Sequence, residues 1–593
     1  MSLEEVFGLD RAEAPDGLSC YIEALQRWRV WRNNPPLFYS TCIQSALQWP
    51  SLTVQLFPHL RPSSVPGLLR HAILYGGTAA EDGFATISLA SVAIDDPITT
   101  AAAAAAGRPP LPPDAVHRLS APLLEEVCVL RHQGDVDRLR YCPGRPALVA
   151  VKCSGERLSL YDIGPRLGLL DGGLGGEGGG RQQQVQEGDG REREGGEGMD
   201  VDGDGGGSGP TMRKGAGSSA AGAGAAAAAG EDDGQGGEEV PLEPVSVLSS
   251  EQQDGVSLAW GSSSSGGGSG GPRLYSGLRC GAVAEYAVRE DGSLAEVAVR
   301  QGGHDGDADV VDLAWGSEVP WEGNVTEAGG TAAAATAAGD VMAPPGLLAS
   351  VGTDGRTLLW DPRQLRVALH APRCRQDVNG VAFSPPGSGG GGGSSAVPQL
   401  ANAGNDGVIR VYDIRYLHGG RTGGDGGGGG GGGSAASTST AAAASHGLAL
   451  HRLKGHNCPV RQLSYGPHSG GLLASADEQG RVLLWELGCR TALQGQQDGR
   501  GLLTTRPELL FVHAGHVLSV DDFSWSTELY GTLASVSGFL DPEVVEKVRQ
   551  HPRGGAELEG QPPAVQVWRP AADMLPPPPS CSPSWRSPLL ARS

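Results

Sequence analysis

Two stretches of the chain repeat one pattern of apolar and polar positions. From Leu130 to Ile163 it reads LRHQGDVDRLRYCPGRPALVAVKCSGERLSLYDI, and from Leu453 to Leu487 LKGHNCPVRQLSYGPHSGGLLASADEQGRVLLWEL. Each runs as a His-bearing turn, an alternating segment, a Pro turn, a small-residue segment, an Asp/Gly turn and a segment ending in an aromatic–acid pair. Alternation of period two bounded by Gly, Pro and Asp marks short antiparallel strands. Units of about 40 residues with GH and WD signatures predict the four-stranded blades of a β-propeller.

Further copies run from Val256 to Val288, Gly302 to Arg363, Asp377 to Arg415 and His513 to Pro570. A seventh is available in SLTVQLFP, RHAILYGG and ATISLASV, between Ser51 and Val92. The expected fold is therefore all-β: a seven-bladed WD-repeat propeller, closed between the N-terminal strands and the last repeat so that no open sheet edge is left. Ahead of it, Leu18, Tyr21, Ile22, Leu25 and Trp28 recur at three- and four-residue spacing. Ser19 can cap this amphipathic helix and Asn33-Asn34-Pro35-Pro36 stops it.

Composition explains the remaining length. The chain has 593 residues, of which 95 are Gly, and its Gly/Ala/Ser runs bury too little apolar surface to offset the entropy of ordering them. Residues 1–16 are expected to be a disordered start, 17–48 a helical arm, 49–570 the propeller and 571–593 a disordered tail. Disordered insertions are expected at about 164–243, 261–271, 317–346, 387–398 and 419–447, the first lying between blades and the others in turns.

A formal charge of −22 argues against broad nucleic-acid binding, which needs a basic face. The ten cysteines are scattered without a CxxC pair, as expected in a reducing compartment. There is no signal-peptide pattern and no apolar run of membrane-spanning length, so a soluble intracellular protein is expected and the Asn324-Val325-Thr326 sequon reads as a chance match.

His456, Asp477 and Trp485 form the clearest polar set. A catalytic His–Asp pair is one reading. However, turn Asp recurs at Asp354 and Asp406, and turn His at His132, His304 and His516. A device built in every blade is structural, so these three are read as blade residues. No set of three or four ligands at metal spacing, no phosphate loop and no nucleophile elbow is present. Neither catalysis nor a cofactor or metal is expected. The acidic segments Glu187–Asp204 and Glu231–Glu239 read as solvated linker, with a tether for a basic partner as the alternative.

Three stretches carry a resemblance: YIEALQRWRVWRNNPPLFYSTCIQSALQWPSLTVQLFP, HQGDVDRLRYCP and PELLFVHAGHVLSVDDFSW. Together they resemble the MSI family of WD-repeat histone-binding proteins, also called retinoblastoma-binding histone chaperones and typified by the small subunit of chromatin assembly factor one. The helix followed by LQWPSLT is the most specific element. HAGH in the last turn and Ser350–Gly352 resemble the green-lineage branch. The resemblance implies a nuclear scaffold, also present in cytoplasm, that binds histones H3 and H4 as a monomeric subunit of a chromatin assembly or chromatin-modifying hetero-complex. The acidic charge and the lack of a long apolar run leave no nucleic-acid site and no membrane contact expected.

The family's two sites can be carried over. A histone H4 helix would lie between the arm and an acidic loop, with Leu25, Trp28, Phe38, Leu510 and Phe511 as the apolar lining. Here the loop between Leu487 and Glu508 holds Arg490, Arg500 and Arg506 against Asp498, so H4 binding is expected to be weakened. The H3 tail would lie across the inter-blade face at Asp135, Asp137, Asp254, Asp377 and Asn379, where Val311, Pro459 and Arg461 depart from the family's acidic or aromatic residues. Two alternatives remain open. WDPR (Trp360–Arg363) and YDIR (Tyr412–Arg415) resemble motifs by which substrate receptors dock on cullin-type ubiquitin ligases. Escort of histones or ribosomal proteins in ribosome assembly is the other.

Overall fold

The computed structural model describes residues 16–79, 83–97, 124–153, 157–171, 242–249, 255–262, 271–316, 346–386, 398–419, 449–487, 508–538 and 563–576, all within one compact unit. The segments 172–241, 263–270, 317–345, 387–397, 420–448 and 488–507 lie outside the described residues. So do Asp254, the Asn324 sequon, both acidic segments, the first fifteen residues and 577–593.

Helix α1 (Asp16–Trp31) and the single turn α2 (Pro35–Phe38) lead into β1 (Tyr39–Ala46). Blade 1 is β2 (Ser51–Pro62), β3 (Leu68–Gly77), β4 (Phe84–Asp95) and β5 (Leu124–Gln133). Blade 2 is β6 (Val136–Cys142), β7 (Arg145–Cys153) and β8 (Arg157–Asp162), followed by helix α3 (Gly164–Asp171) and completed by β9 (Ser246–Ser249). Blade 3 is β10 (Leu258–Ser262), β11 (Pro272–Gly277), β12 (Val283–Val288) and β13 (Leu294–Arg300). Blade 4 is β14 (Val310–Gly316), β15 (Leu347–Gly352), β16 (Thr357–Asp361) and β17 (Arg366–His370).

Blade 5 is β18 (Val378–Phe383), β19 (Gln399–Gly404), β20 (Val408–Asp413) and, after β21 (His418–Gly419) has joined the outer edge of blade 4, β22 (His451–Lys454). Blade 6 is β23 (Val460–Tyr465), β24 (Leu472–Asp477), β25 (Val482–Glu486) and β26 (Leu509–His513). Blade 7 is β27 (Val520–Trp525), β28 (Leu533–Ser537), β29 (Ala564–Pro570) and the N-terminal β1. The seven-bladed propeller stands.

Four details differ from the sequence expectation. The closing strand is β1, paired with β29 from Tyr39↔Pro570 to Ala46↔Ala564, and it falls in the segment assigned to the helical arm. Its YSTCIQSA pattern does alternate, with Tyr39, Thr41 and Ile43 buried, but the preceding helical spacing masked it. Next, the insertion after Gly164 interrupts blade 2 rather than separating two blades, because the four-residue β9 returns to pair with β8. A four-residue strand carries too little pattern to be recognised across such a gap. Finally, α3 occupies the start of that expected linker, with Leu170 buried and Leu167 packed against the cluster of blades 1 and 2. The tail is also ordered further than expected: Ala572–Met574 form a 3-10 turn, and Tyr530 Oη donates to Pro576 O at 2.8 Å.

The second strands are buried on both faces, because each blade is packed between two neighbours. All six residues of β15 and of β24 are buried, which explains their small apolar residues: alternation belongs to a sheet with one wet face. Polar groups on the inner strands stitch one blade to the next. Asp522 accepts from Val54 N at 3.0 Å, Thr53 Oγ1 from Leu139 N at 3.1 Å, and Asp312 from Val381 N at 3.1 Å. Ser257 Oγ donates to Val310 O at 2.8 Å and Asn379 Nδ2 to Val460 O at 2.9 Å. These bonds satisfy inner-strand backbone groups that an open channel edge would otherwise leave unpaired.

Candidate functional site

The arm is fixed to blades 6 and 7 by aromatic and polar side chains. Trp31 Nε1 donates to Tyr39 Oη at 2.8 Å, and Tyr39 Oη lies 2.9 Å from His513 Nδ1. Since Tyr39 accepts from the indole, its own proton goes to His513, whose imidazole is held neutral by complete burial. The His513 ring stacks on Trp568 with centroids 4.1 Å apart, and Phe511 meets Tyr39 edge-on at 5.2 Å. One turn earlier on α1, Arg27 Nη2 donates to Gln479 O in the tight β24–β25 turn. That turn needs Gly480, at φ 78°, where a Cβ would lie 2.4 Å from His516 O.

Of the five residues expected along this groove, the structure places Leu510 and Phe511 in the cluster that also holds Trp31 and Tyr39. Leu25 is buried, Phe38 is 43% exposed, and Trp28 is half-buried with its indole N–H shielded and unbonded. Trp31 and Tyr39, which fasten the helix, were missed. Trp31 continues the three-residue spacing after Trp28, a signal that was available. The opposing loop, 488–507, lies outside the described residues.

On the inter-blade face, Asp135 accepts from Ala79 N at 2.5 Å. Asp377 accepts from Asn405 Nδ2 at 3.2 Å, and Asn379 donates to Asn405 Oδ1 at 2.8 Å. Asp135 and Asp137 head β6 while Asp377 and Asn379 head β18, so all four lie at the same, N-terminal end of inner strands. Arg461 at the equivalent position of β23 pairs with Glu478 at 2.9 Å. A further acid, Asp521, sits at the head of β27, accepting from Ser519 Oγ at 2.8 Å, with its carboxyl pushed up by burial. The DD pair of VDDFSW was its signal.

The His–Asp–Trp set is brought together through a serine. His456 Nδ1 lies 2.7 Å from Asp477 Oδ2 and its Nε2 2.6 Å from Ser475 Oγ, which also accepts from Trp485 Nε1 at 2.8 Å. Blade 4 repeats this with His304, Asp354, Ser350 and Trp360, and blade 7 repeats it without the acid in His516, Ser535 and Trp568. Between blades 1 and 2, His132 of β5 meets Tyr161 Oη of β8 at 2.7 Å instead. Arg363 and Arg415 form forked pairs with Asp361 and Asp413, two residues before each, and stay about half exposed. Among the described residues no group of three His, Cys, Asp or Glu could hold a metal, and no helix is long and apolar enough to cross a membrane.

Residues 26–94 match a family model for the histone-binding protein RBBP4, also described as the C component of the CAF1 complex, and residues 447–486 match the WD domain, G-beta repeat. The chain is similar to histone acetyltransferase type B subunit 2 from three fungi. With the Debaryomyces hansenii protein it is 38% identical over 93 residues, 16% of this chain and 21% of that one. With the Schizosaccharomyces pombe protein it is 28% identical over 144 residues, 23% and 31% of the two chains. With the Candida glabrata protein it is 24% identical over 216 residues, 36% and 41%. The matched stretch spans less than half the length of each relative. The first matched segment runs from the second half of α1 through the closing strand to the end of β4, and the second covers most of blade 6. Over these segments, and on a seven-bladed fold, the chain is similar to RBBP4-type histone-binding proteins.

Proposed function

We propose that the protein is a histone-binding, non-catalytic scaffold subunit of nuclear chromatin assembly or chromatin-modifying complexes. The observation that carries this is the arm: α1 is held beside Leu510 and Phe511 by Arg27 and Trp31, within the stretch that matches the histone-binding family model. Apolar side chains beside a fixed helix suit one face of a partner helix. The acids at the heads of β6, β18 and β27 suit a basic tail, which they would hold by charge-assisted hydrogen bonds. With three arginines against one aspartate between Leu487 and Glu508, binding of a basic H4 helix is weakened relative to a groove with an acidic wall.

Fluorescence anisotropy with labelled H3-tail and H4-helix peptides tests both surfaces. Asp135→Ala and Asp377→Ala should each weaken the H3 tail several-fold and leave the H4 helix unchanged. Trp28→Ala should do the reverse. Equal binding of the H3 tail by wild type and both Asp variants contradicts the assignment of that face.

A further inference from the structure

The heads of the inner strands share an irregularity that sets the chemistry of the channel mouth. In six of the seven blades the pairing of the first two strands shifts register by one residue at the second inner-strand position. Blade 3 pairs without this shift. A bulged residue leaves the ladder, and its side chain is re-aimed. The six are Leu52, Asp137, Val311, Asn379, Arg461 and Asp521, from blades 1, 2, 4, 5, 6 and 7. They lie at the strand ends that carry Asp135 and Asp377. One cation therefore stands in a ring otherwise made of two acids, an amide and two apolar side chains.

Arg461 is tied into that ring. Its Nη2 reaches Glu478 Oε1 at 2.9 Å, and the two side chains are 47% and 35% exposed. Its charge also acts on Asp521 of the next blade: burial pushes that carboxyl up, and the Ser519 hydroxyl, Arg461 and Arg138 partly offset the push. Arg138 itself is turned to Asp522, at 3.3 Å. Arg461 thus neutralises Glu478 and shades Asp521, the acids that blades 6 and 7 present at the mouth. An ion pair this exposed contributes little to stability, so its main effect is on the field that an incoming ligand meets.

We propose that Arg461 is a specificity-determining residue of the tail-binding face: a built-in guanidinium that occupies the acids of blades 6 and 7 and confines a basic peptide to those of blades 2 and 5. This rests on the reading of that face as a site for a basic tail. A like charge placed among the acids lowers affinity for a cationic ligand without any steric clash. Removing it should therefore strengthen binding, an effect that damage to the fold does not produce.

Fluorescence anisotropy of the full chain with a labelled H3-tail peptide tests this across a charge series at position 461. A copy of the peptide with Gln at every Arg and Lys is the control, and circular dichroism checks that each variant is folded. Arg461→Lys should match the wild type, Arg461→Gln should bind roughly threefold more tightly or better, and Arg461→Glu more tightly still. The control peptide should distinguish none of them, and the gain should shrink as salt rises. Affinity that is equal across the series, or that falls in Arg461→Gln and Arg461→Glu alike, overturns the proposal. Wild-type binding that responds to Asp135→Ala but not to Arg461→Gln sinks this inference alone. Absence of binding by the wild type, Arg461→Gln and Arg461→Glu together removes the tail reading as well.

Discussion

Ser475 shows how much one side chain does in a blade. Its hydroxyl joins the buried side chains of His456 and Trp485, so Ser475→Ala removes the acceptor of the Trp485 Nε1–H and the partner of His456 Nε2. A loss of about 1–3 kcal/mol is expected, read from urea denaturation. A loss below about 0.5 kcal/mol would mean that the recurring His–Ser–Trp link contributes little. The buried imidazoles carry a second residue-scale consequence. His71 and His132 are depressed to about 4 and His516 to about 3, in each case mainly by burial. Above pH 6.5 each is neutral in both states and adds nothing to the pH dependence. Between 6.5 and the depressed value the unfolded chain takes up protons that the folded chain refuses, so stability falls as pH falls. Carboxyls raised by burial, Asp312 to about 6 and Asp521 among them, act in the opposite sense, whereas His468 and His513, also lowered by burial, add to the histidine trend. Stability measured at pH 7, 5.5 and 4.5 should drop progressively, and His71→Gln should flatten the slope by up to about 1.4 kcal/mol per pH unit. An unchanged slope in that variant contradicts the assignment.

At the scale of elements, the N-terminal segment holds two roles that the sequence blurs into one. Helix α1 is an arm laid on the propeller, whereas β1 is part of it, covering the edge of β29. Removing residues 1–38 should leave a soluble, folded propeller with near-native strand content by circular dichroism and weakened H4-helix binding. Removing residues 1–47 also takes the closing strand and exposes an open edge, so aggregation is expected. Size-exclusion chromatography separates the outcomes, and a soluble monomer after the longer deletion contradicts the closure role. The strands were legible wherever the Pro turn, the Asp/Gly turn and the terminal aromatic fell at regular spacing, as in blades 2 and 6. Legibility failed at β9 and β1, for a physical reason: both complete a blade from a distance, so their pairing partners are not their sequence neighbours.

For the molecule as a whole, repetition made the fold readable and also hid the site. Seven copies of one pattern specify a closed ring of sheets whose second strands must be small and apolar, as Leu347–Gly352 and Leu472–Asp477 are. Function lies in departures from the repeat, and single departures have no internal copy to calibrate them. Asp135, Asp377 and Asn379 could be aligned because they head inner strands. Asp521 escaped because it reads as one half of a DD pair. The central claim is that this propeller binds histones, and titrating the full chain with H3–H4 dimers at physiological salt tests it most directly. Saturable binding is predicted, weakened at least tenfold when Asp135→Ala and Asp377→Ala are combined and further by removal of residues 1–38. Failure to saturate at any accessible concentration, or binding untouched by all of these changes, would contradict it.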